Sequence, residues 1–203
     1  MAFDTFDTLK DAVREWVHRD DLTDRIPDFI ALGEARIGRE LRLRRQVTTI
    51  TSNTTAGTLT IALPNDFLEL ARLRCTSPDQ PIDYIAATQI ATAYFDSDTG
   101  SPRRFAIEGA ELHLYPKPDA IYSIALTYYA RVPSLSASAP TNWLLSEQPG
   151  LYLFAALAEA APFIGQDERA PMWDGRFRAE AESVRTADMR AQSSGSGLRI
   201  RAR

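Results

Sequence analysis

Apolar positions recur every three or four residues from Thr5 to about His18, with Phe6, Leu9, Val13, Trp16 and Val17 on one face. That spacing predicts a first helix. The polar break Arg19-Asp20-Asp21 precedes a longer helical pattern that starts near Thr23, a residue able to cap it, with Pro27 tolerated in the first turn. This second helix is predicted to run to about Arg45. At 100° per residue Ile26, Ile30, Gly33, Ile37 and Leu41 form one apolar stripe, and a neighbouring stripe mixes Leu32 and Leu43 with Arg25, Arg36 and Arg39. A helix packing on its own core needs only the first stripe. Interfaces favour arginine, so the second stripe is the candidate contact between subunits. A solvated face with two stray leucines is the alternative.

The period then changes to two. Gln46–Thr51 and Thr58–Leu63 are β-branched and alternating, and the Ser-Asn-Thr-Thr-Ala-Gly between them reads as a hairpin connection. Further strands are expected at Leu68–Cys75, Pro81–Ile85, Arg103–Ile107, Glu111–Tyr115 and Ile121–Arg131, with turns at Glu108-Gly109-Ala110 and Pro116-Lys117-Pro118-Asp119. Ala86–Phe95 reads as a short helix. After the proline- and serine-rich stretch Val132–Thr141, a helix opens near Ser146 with Pro149 in its first turn. Leu151–Ala161 is apolar nearly all round and should be buried on several sides. Glu159 within it is the most unusual charge, a buried acid that needs an arginine from its own bundle or from a neighbouring subunit. Pro162 and Gly165 should end this helix. Asp167 should cap the last one, which runs to about Arg190 with Trp173, Phe177, Ala181 and Val184 inward.

This order is α+β: a helical bundle from N- and C-terminal helices, an inserted, mostly antiparallel β unit of five to seven strands, and a flexible tail. The expected boundaries are 1–45, 46–132, 133–191 and 192–203. The tail pairs a Gly/Ser linker with Leu198-Arg199-Ile200-Arg201-Ala202-Arg203, a short basic strand-former.

At 203 residues the chain can hold one elaborated domain or two small ones, and its 44% hydrophobic and 25% charged residues match a globular protein. One cysteine, Cys75, forms no intrachain disulfide and reads as a small buried apolar group. The opening residues lack the basic-then-apolar order of a signal peptide, and Leu151–Ile164 is too short to span a bilayer, so no membrane role is expected. Net charge is -4, yet 23 basic residues include only two lysines, Lys10 and Lys117, and the arginines cluster at Arg36–Arg45 and after Arg169. Such clusters could contact phosphates, but the acidic balance and the lack of a binding motif disfavour a nucleic-acid module.

Chemistry is sparse. His18 closes a predicted helix, where it suits the dipole, and His113 sits mid-strand and should face solvent. Neither has metal-ligand company, no catalytic or phosphate-binding glycine motif occurs, and Asp96, Asp98 and Gly100 lack the glutamate of a calcium loop. No cofactor, metal or catalytic residue is expected. An enzyme or small-ligand domain built on the β unit is the least favoured reading.

Several segments carry a resemblance. They are Ile26-Pro27-Asp28-Phe29-Ile30-Ala31-Leu32-Gly33-Glu34-Ala35-Arg36-Ile37 with Arg39-Glu40-Leu41-Arg42, then Leu63-Pro64-Asn65-Asp66-Phe67-Leu68-Glu69-Leu70, then Gly100-Ser101-Pro102-Arg103. Leu126-Thr127-Tyr128-Tyr129-Ala130, Pro140-Thr141-Asn142-Trp143-Leu144-Leu145, Leu151-Tyr152-Leu153-Phe154 and Glu159-Ala160 follow. In this order they resemble the head-to-tail adaptors, or connectors, of tailed bacteriophages. The resemblance implies a structural virion protein at the head-tail junction, made in the host cytoplasm. It implies a ring of subunits, dodecameric in expectation, that docks under the portal protein, extends the channel for genomic DNA without binding it specifically, and receives a tail tube or nozzle protein. The helix-2 stripe would join subunits, and Leu198, Arg199, Ile200, Arg201 and Arg203 would add as a strand to the portal. A neck or tail ring at another position is the alternative within the virion.

Overall fold

The computed structural model describes residues 3–86, 98–165 and 168–193. The predicted helix at 86–95, the cap Asp167 and the segment 198–203 lie outside the described residues, in whole or nearly so. The chain divides into two compact units, one formed by Met1–Arg44 with Val132–Arg203 and the other by Arg45–Arg131.

In the first unit α1 (Phe6–Val17) starts at Thr5, whose hydroxyl accepts from the Thr8 amide while the Thr8 hydroxyl accepts from the Thr5 amide. These reciprocal bonds satisfy two amides that a helix start leaves open. His18, left-handed at φ 54°, ends the helix. A 3₁₀ turn over Asp20–Arg25 leads into α2 (Ile26–Glu40). Thr23 donates its hydroxyl to the Asp20 carbonyl and so does not cap α2.

The helix also stops five residues short of the expected Arg45. Leu41 turns extended at φ -108°, ψ 134°, and arginines close the carbonyls left behind. Arg42 Nη1 donates to the oxygens of Gly38 and Leu41 at 2.6 and 2.8 Å, and Arg185 Nη2 donates to that of Glu40 at 2.6 Å. Guanidinium groups suit a helix C-terminus, where carbonyl oxygens lack amide partners.

Three helices complete this unit: α3 (Trp143–Glu147), α4 (Pro149–Ile164) and α5 (Ala170–Ser193). The single helix expected from Ser146 is thus two, divided at Gln148, and Pro162 sits inside the last turn of α4 without ending it. The apolar α4 packs against α1, α2 and α5. Its Leu151, Leu153, Ala155, Ala156 and Leu157 join Leu9 and Val13 of α1, Phe29, Ile30 and Ile37 of α2, and Trp173 and Phe177 of α5 in one core. A helix apolar on every face requires such a central place.

The second unit holds eight strands among the described residues: β1 (Val47–Asn53), β2 (Thr60–Ala62), β3 (Phe67–Thr76), β4 (Asp79–Pro81), β5 (Asp83–Tyr84), β6 (Arg104–Glu108), β7 (Glu111–Tyr115) and β8 (Ser123–Ala130). They form two four-stranded sheets, in the orders β1-β8-β3-β4 and β2-β7-β6-β5. Among these described strands only β5–β6 pairs in parallel. Leu73, Cys75, Ile124, Leu126 and Tyr128 of the first sheet share a core with Phe105, Leu112 and Leu114 of the second. The fold is α+β.

The expected hairpin does not form. β1 runs beside β8 and β2 beside β7, in different sheets. The linking residues are tied to the β7–β8 connection: Thr54 donates its amide to Tyr122 O at 2.9 Å and its hydroxyl to Ala120 O at 3.0 Å, and Gly57 donates to Pro118 O. Those bonds hold the two strands apart. His113 is half-buried in the inner strand β7, its Nε2 3.8 Å from Glu111, and not the solvent-facing residue expected.

Candidate functional site

The sequence directs attention to α2. Arg36 lies in its third turn, only 16% exposed, and bonds three acids of its own unit. Its Nε donates to Glu40 Oε1 at 3.1 Å and its Nη2 to Asp174 Oδ1 at 2.5 Å, while Nη1 lies 3.6 Å from Glu159 Oε1. The Phe177 ring lies under the guanidinium, 4.2 Å from Cζ. Burial works against the Arg36 charge, but the hydrogen bonds it donates to Asp174 and Glu40 outweigh it and hold its pKa above the usual value. The partner expected for Glu159 therefore comes from the same unit, and Glu159 is half-buried, not enclosed.

Replacing Arg36 with alanine leaves Glu40, Glu159 and Asp174 facing one another on a partly dry surface. The expected loss is about 2 kcal/mol by urea denaturation at neutral pH. The loss should be smaller at about 1 M salt, which screens the three acids from one another. A loss unchanged by salt would assign the effect to packing alone.

Two residues earlier, Glu34 reaches the chain entering α3. Its Oε1 accepts from the Leu135 amide at 2.8 Å. Burial pushes the Glu34 carboxyl above the usual range, and the bonds from Leu135 and Ser134 offset only part of that. A raised folded pKa means that this group favours the folded state below the ordinary carboxylate range and loses that contribution as pH rises through the folded value. Glu34→Gln keeps the acceptor without the charge. It should raise stability at neutral pH and make little difference near pH ~4; an equal gain at both values would refute this reading.

Asn142 organises the next segment. Its Oδ1 accepts from Leu145 N at 2.8 Å and caps α3, while its Nδ2 donates to Pro133 O at 2.7 Å and to the Tyr152 hydroxyl at 2.8 Å. Burial raises the Tyr152 pKa well above the usual phenol value, so the hydroxyl stays neutral. The preference of helix starts for asparagine was the sequence signal for this role, which the helical pattern alone did not reveal.

The segments that carried the resemblance meet one another in this way. Gly33 of the first abuts Ala155 and Ala156, next to the Leu151–Phe154 segment, and Arg36 meets Glu159. In the second unit the Tyr128 hydroxyl donates to Asp66 at 2.9 Å and Arg131 N to the Asp66 carbonyl at 2.7 Å, which joins two more. Gln80 Nε2 fastens the Gly100–Arg103 turn through Ser101 Oγ and Pro102 O, at 2.6 and 3.0 Å. These contacts each lie within one unit.

The predicted contact stripe divides. Arg25, Leu32 and Arg39 are on the surface, with Leu32 45% exposed. Leu43 is 4% exposed and belongs to the unit's own core, because α2 has ended before it and the helical angle assigned to it does not apply. Arg36 is engaged inside the unit. The Arg36–Arg45 cluster, considered as a phosphate contact, is likewise partly engaged within the unit, since Arg42 closes α2 and Arg44 lies 3.3 Å from Asp188. Leu198, Arg199, Ile200, Arg201 and Arg203 lie outside the described residues.

Among the described residues no group of three or more His, Cys, Asp or Glu could hold a metal ion, and no helix is long and apolar enough to cross a membrane. The geometry offers two internally packed units with exposed helix and sheet surfaces. The model of the SU10 adaptor protein family matches residues 4–201, and the chain belongs to this family of phage head-to-tail adaptors. It is a structural virion component of the head-tail junction, and the family implies association with portal and tail components. No curated protein matches the chain.

Proposed function

We propose that the protein forms a ring under the portal, extends the channel through which genomic DNA passes, and offers the platform on which the tail tube or nozzle docks. The family match across nearly the whole chain carries this reading. Subunits meet round the ring through the surface of α2 that carries Arg25, Leu32 and Arg39, where an exposed leucine is flanked by arginines, as at an interface. The net charge of -4 favours passage of DNA over capture, since non-specific affinity grows with the number of phosphates neutralised. The ring is expected to have twelve subunits and to close on the portal, the free protein being monomeric or weakly associated.

Co-sedimentation of the purified protein with its purified portal ring tests this. Saturable joining of the portal supports it, with particles that show a closed adaptor ring by electron microscopy. Failure to join the portal moves the protein to another ring of the neck or tail. A stable ring at micromolar concentration without portal would contradict the assembly order.

A further inference from the structure

The first sheet of the inserted unit is open along β1. Val47–Asn53 pairs with β8 through seven successive residue pairs without a break, and β1 ends the strand order, so its other edge has no strand partner among the described residues. Proteins blunt such edges with charges, proline, bulges or shortness. The sequence Val-Thr-Thr-Ile-Thr-Ser-Asn has none of these devices. Other outer strands do: β2 and β4 have three residues each, β4 ends in Pro81, and β5 has two.

The edge has a polarity of faces. Thr48, Ile50 and Ser52 stand opposite Tyr128, Leu126 and Ile124, which are core residues, and so share the core side of the sheet. Ile50, on that face, is an exposed apolar residue at 37%. An added strand should therefore place aliphatic residues in alternate positions beside this row. On the opposite face it meets Val47, Thr49, Thr51 and Asn53, none of them charged.

We propose that this edge is completed by Leu198–Arg203 of a neighbouring copy. Leu198, Ile200 and Ala202 fall in one phase and Arg199, Arg201 and Arg203 in the other. Six residues match the seven of β1, and the arginines meet no like charge on the strand that receives them. Its apolar residues alternate with arginines as an added strand requires, so it is an occupant the chain itself can supply. A second β1 fits less well, because a strand paired with its own copy gives a two-fold contact and not a head-to-tail ring. The inference rests on the ring reading, and it directs the tail to the next subunit in place of the portal.

Full-length Ile50→Cys and full-length Ile200→Cys proteins are mixed and oxidised, both at about 100 µM in solution and on portal rings. Residues directly opposite across paired strands have Cβ atoms about 5 Å apart, within disulfide reach, and the native Cys75 is fully buried. The expected product is a disulfide dimer that contains one of each variant, several-fold more abundant than with Thr49→Cys, which faces the other side. No such dimer in either condition overturns the proposal, whether or not the protein sediments with the portal. So does equal linking of Thr49→Cys and Ile50→Cys, or an intrachain link in a protein that carries both Ile50→Cys and Ile200→Cys. Sedimentation without the link leaves the ring reading standing and removes only this inference.

Discussion

Gly33→Val is expected to unfold the helical unit at urea concentrations that leave the wild type intact. A Cβ at position 33 would stand 3.0 Å from Ala156 N and 3.1 Å from both the carbonyl carbon and the Cβ of Ala155. Two of these neighbours are backbone atoms of α4, and α4 is clasped by three other helices, so it cannot yield by a rotamer change. Overpacking of this kind costs about 3 kcal/mol for a branched side chain, which moves the urea midpoint by on the order of 1 M. Glycine inside a helix ordinarily costs up to about 1 kcal/mol relative to alanine, and position 33 accepts that loss so that two helices can approach.

Gly38, five residues on in the same helix, has nothing within 4 Å of its missing Cβ. Gly38→Ala should therefore stabilise by up to about 1 kcal/mol. The two substitutions make opposite changes in one helix. A stable Gly33→Val, or two effects of the same sign, would mean that α2 and α4 are not packed as described.

Asn142→Ala should be comparably damaging, for a polar reason. It removes the cap of α3, worth about 1 kcal/mol. It also leaves the Pro133 carbonyl and the Tyr152 hydroxyl without their donor in a buried place, at about 1 kcal/mol each. The expected total is about 3 kcal/mol by thermal or urea unfolding. Asn142→Asp separates the parts, because it keeps the acceptor that caps Leu145 while losing both donors and setting a charge against a carbonyl. Tyr152→Phe removes one partner only and should cost less than Asn142→Ala. In the double variant the two losses should not add, since they share one hydrogen bond. Additive losses would show that the Asn142–Tyr152 bond contributes nothing to stability.

Much of this architecture is legible in the amino-acid sequence. α1, the apolar faces of α2 and α5, the all-round burial of α4 and the alternation of β7 follow from spacing, because a side chain's place on a helix or strand is fixed by counting residues. The resemblance is legible too: its segments are the ones that meet, as at Asn142 and Tyr152, Asp66 and Tyr128, and Arg36 and Glu159. Counting fails where a regular element stops. The periodicity that predicts α2 through Arg45 contains no sign that Arg42 and Arg185 close it at Glu40, because one of those arginines is 145 residues away from its acceptor. Leu43 falls in the contact stripe only through that extension, and in the fold it belongs to the core.

The sequence by itself determined where most of the described helices and strands lie, which of their faces are apolar, and the α+β order, since each depends on neighbours within a turn or a pleat. Tertiary structure decided which strands pair, which arginines remain outside, and where a glycine is obligatory. β1 and β2 look like a hairpin locally and lie in separate sheets because bonds from Thr54 and Gly57 to a loop more than sixty residues on hold them apart. Arg36 and Arg39 look alike on a helical wheel, yet one lies over Phe177 among three acids and the other is exposed. Such choices depend on atoms brought together from distant parts of the chain, and a pattern read along one segment carries no information about them.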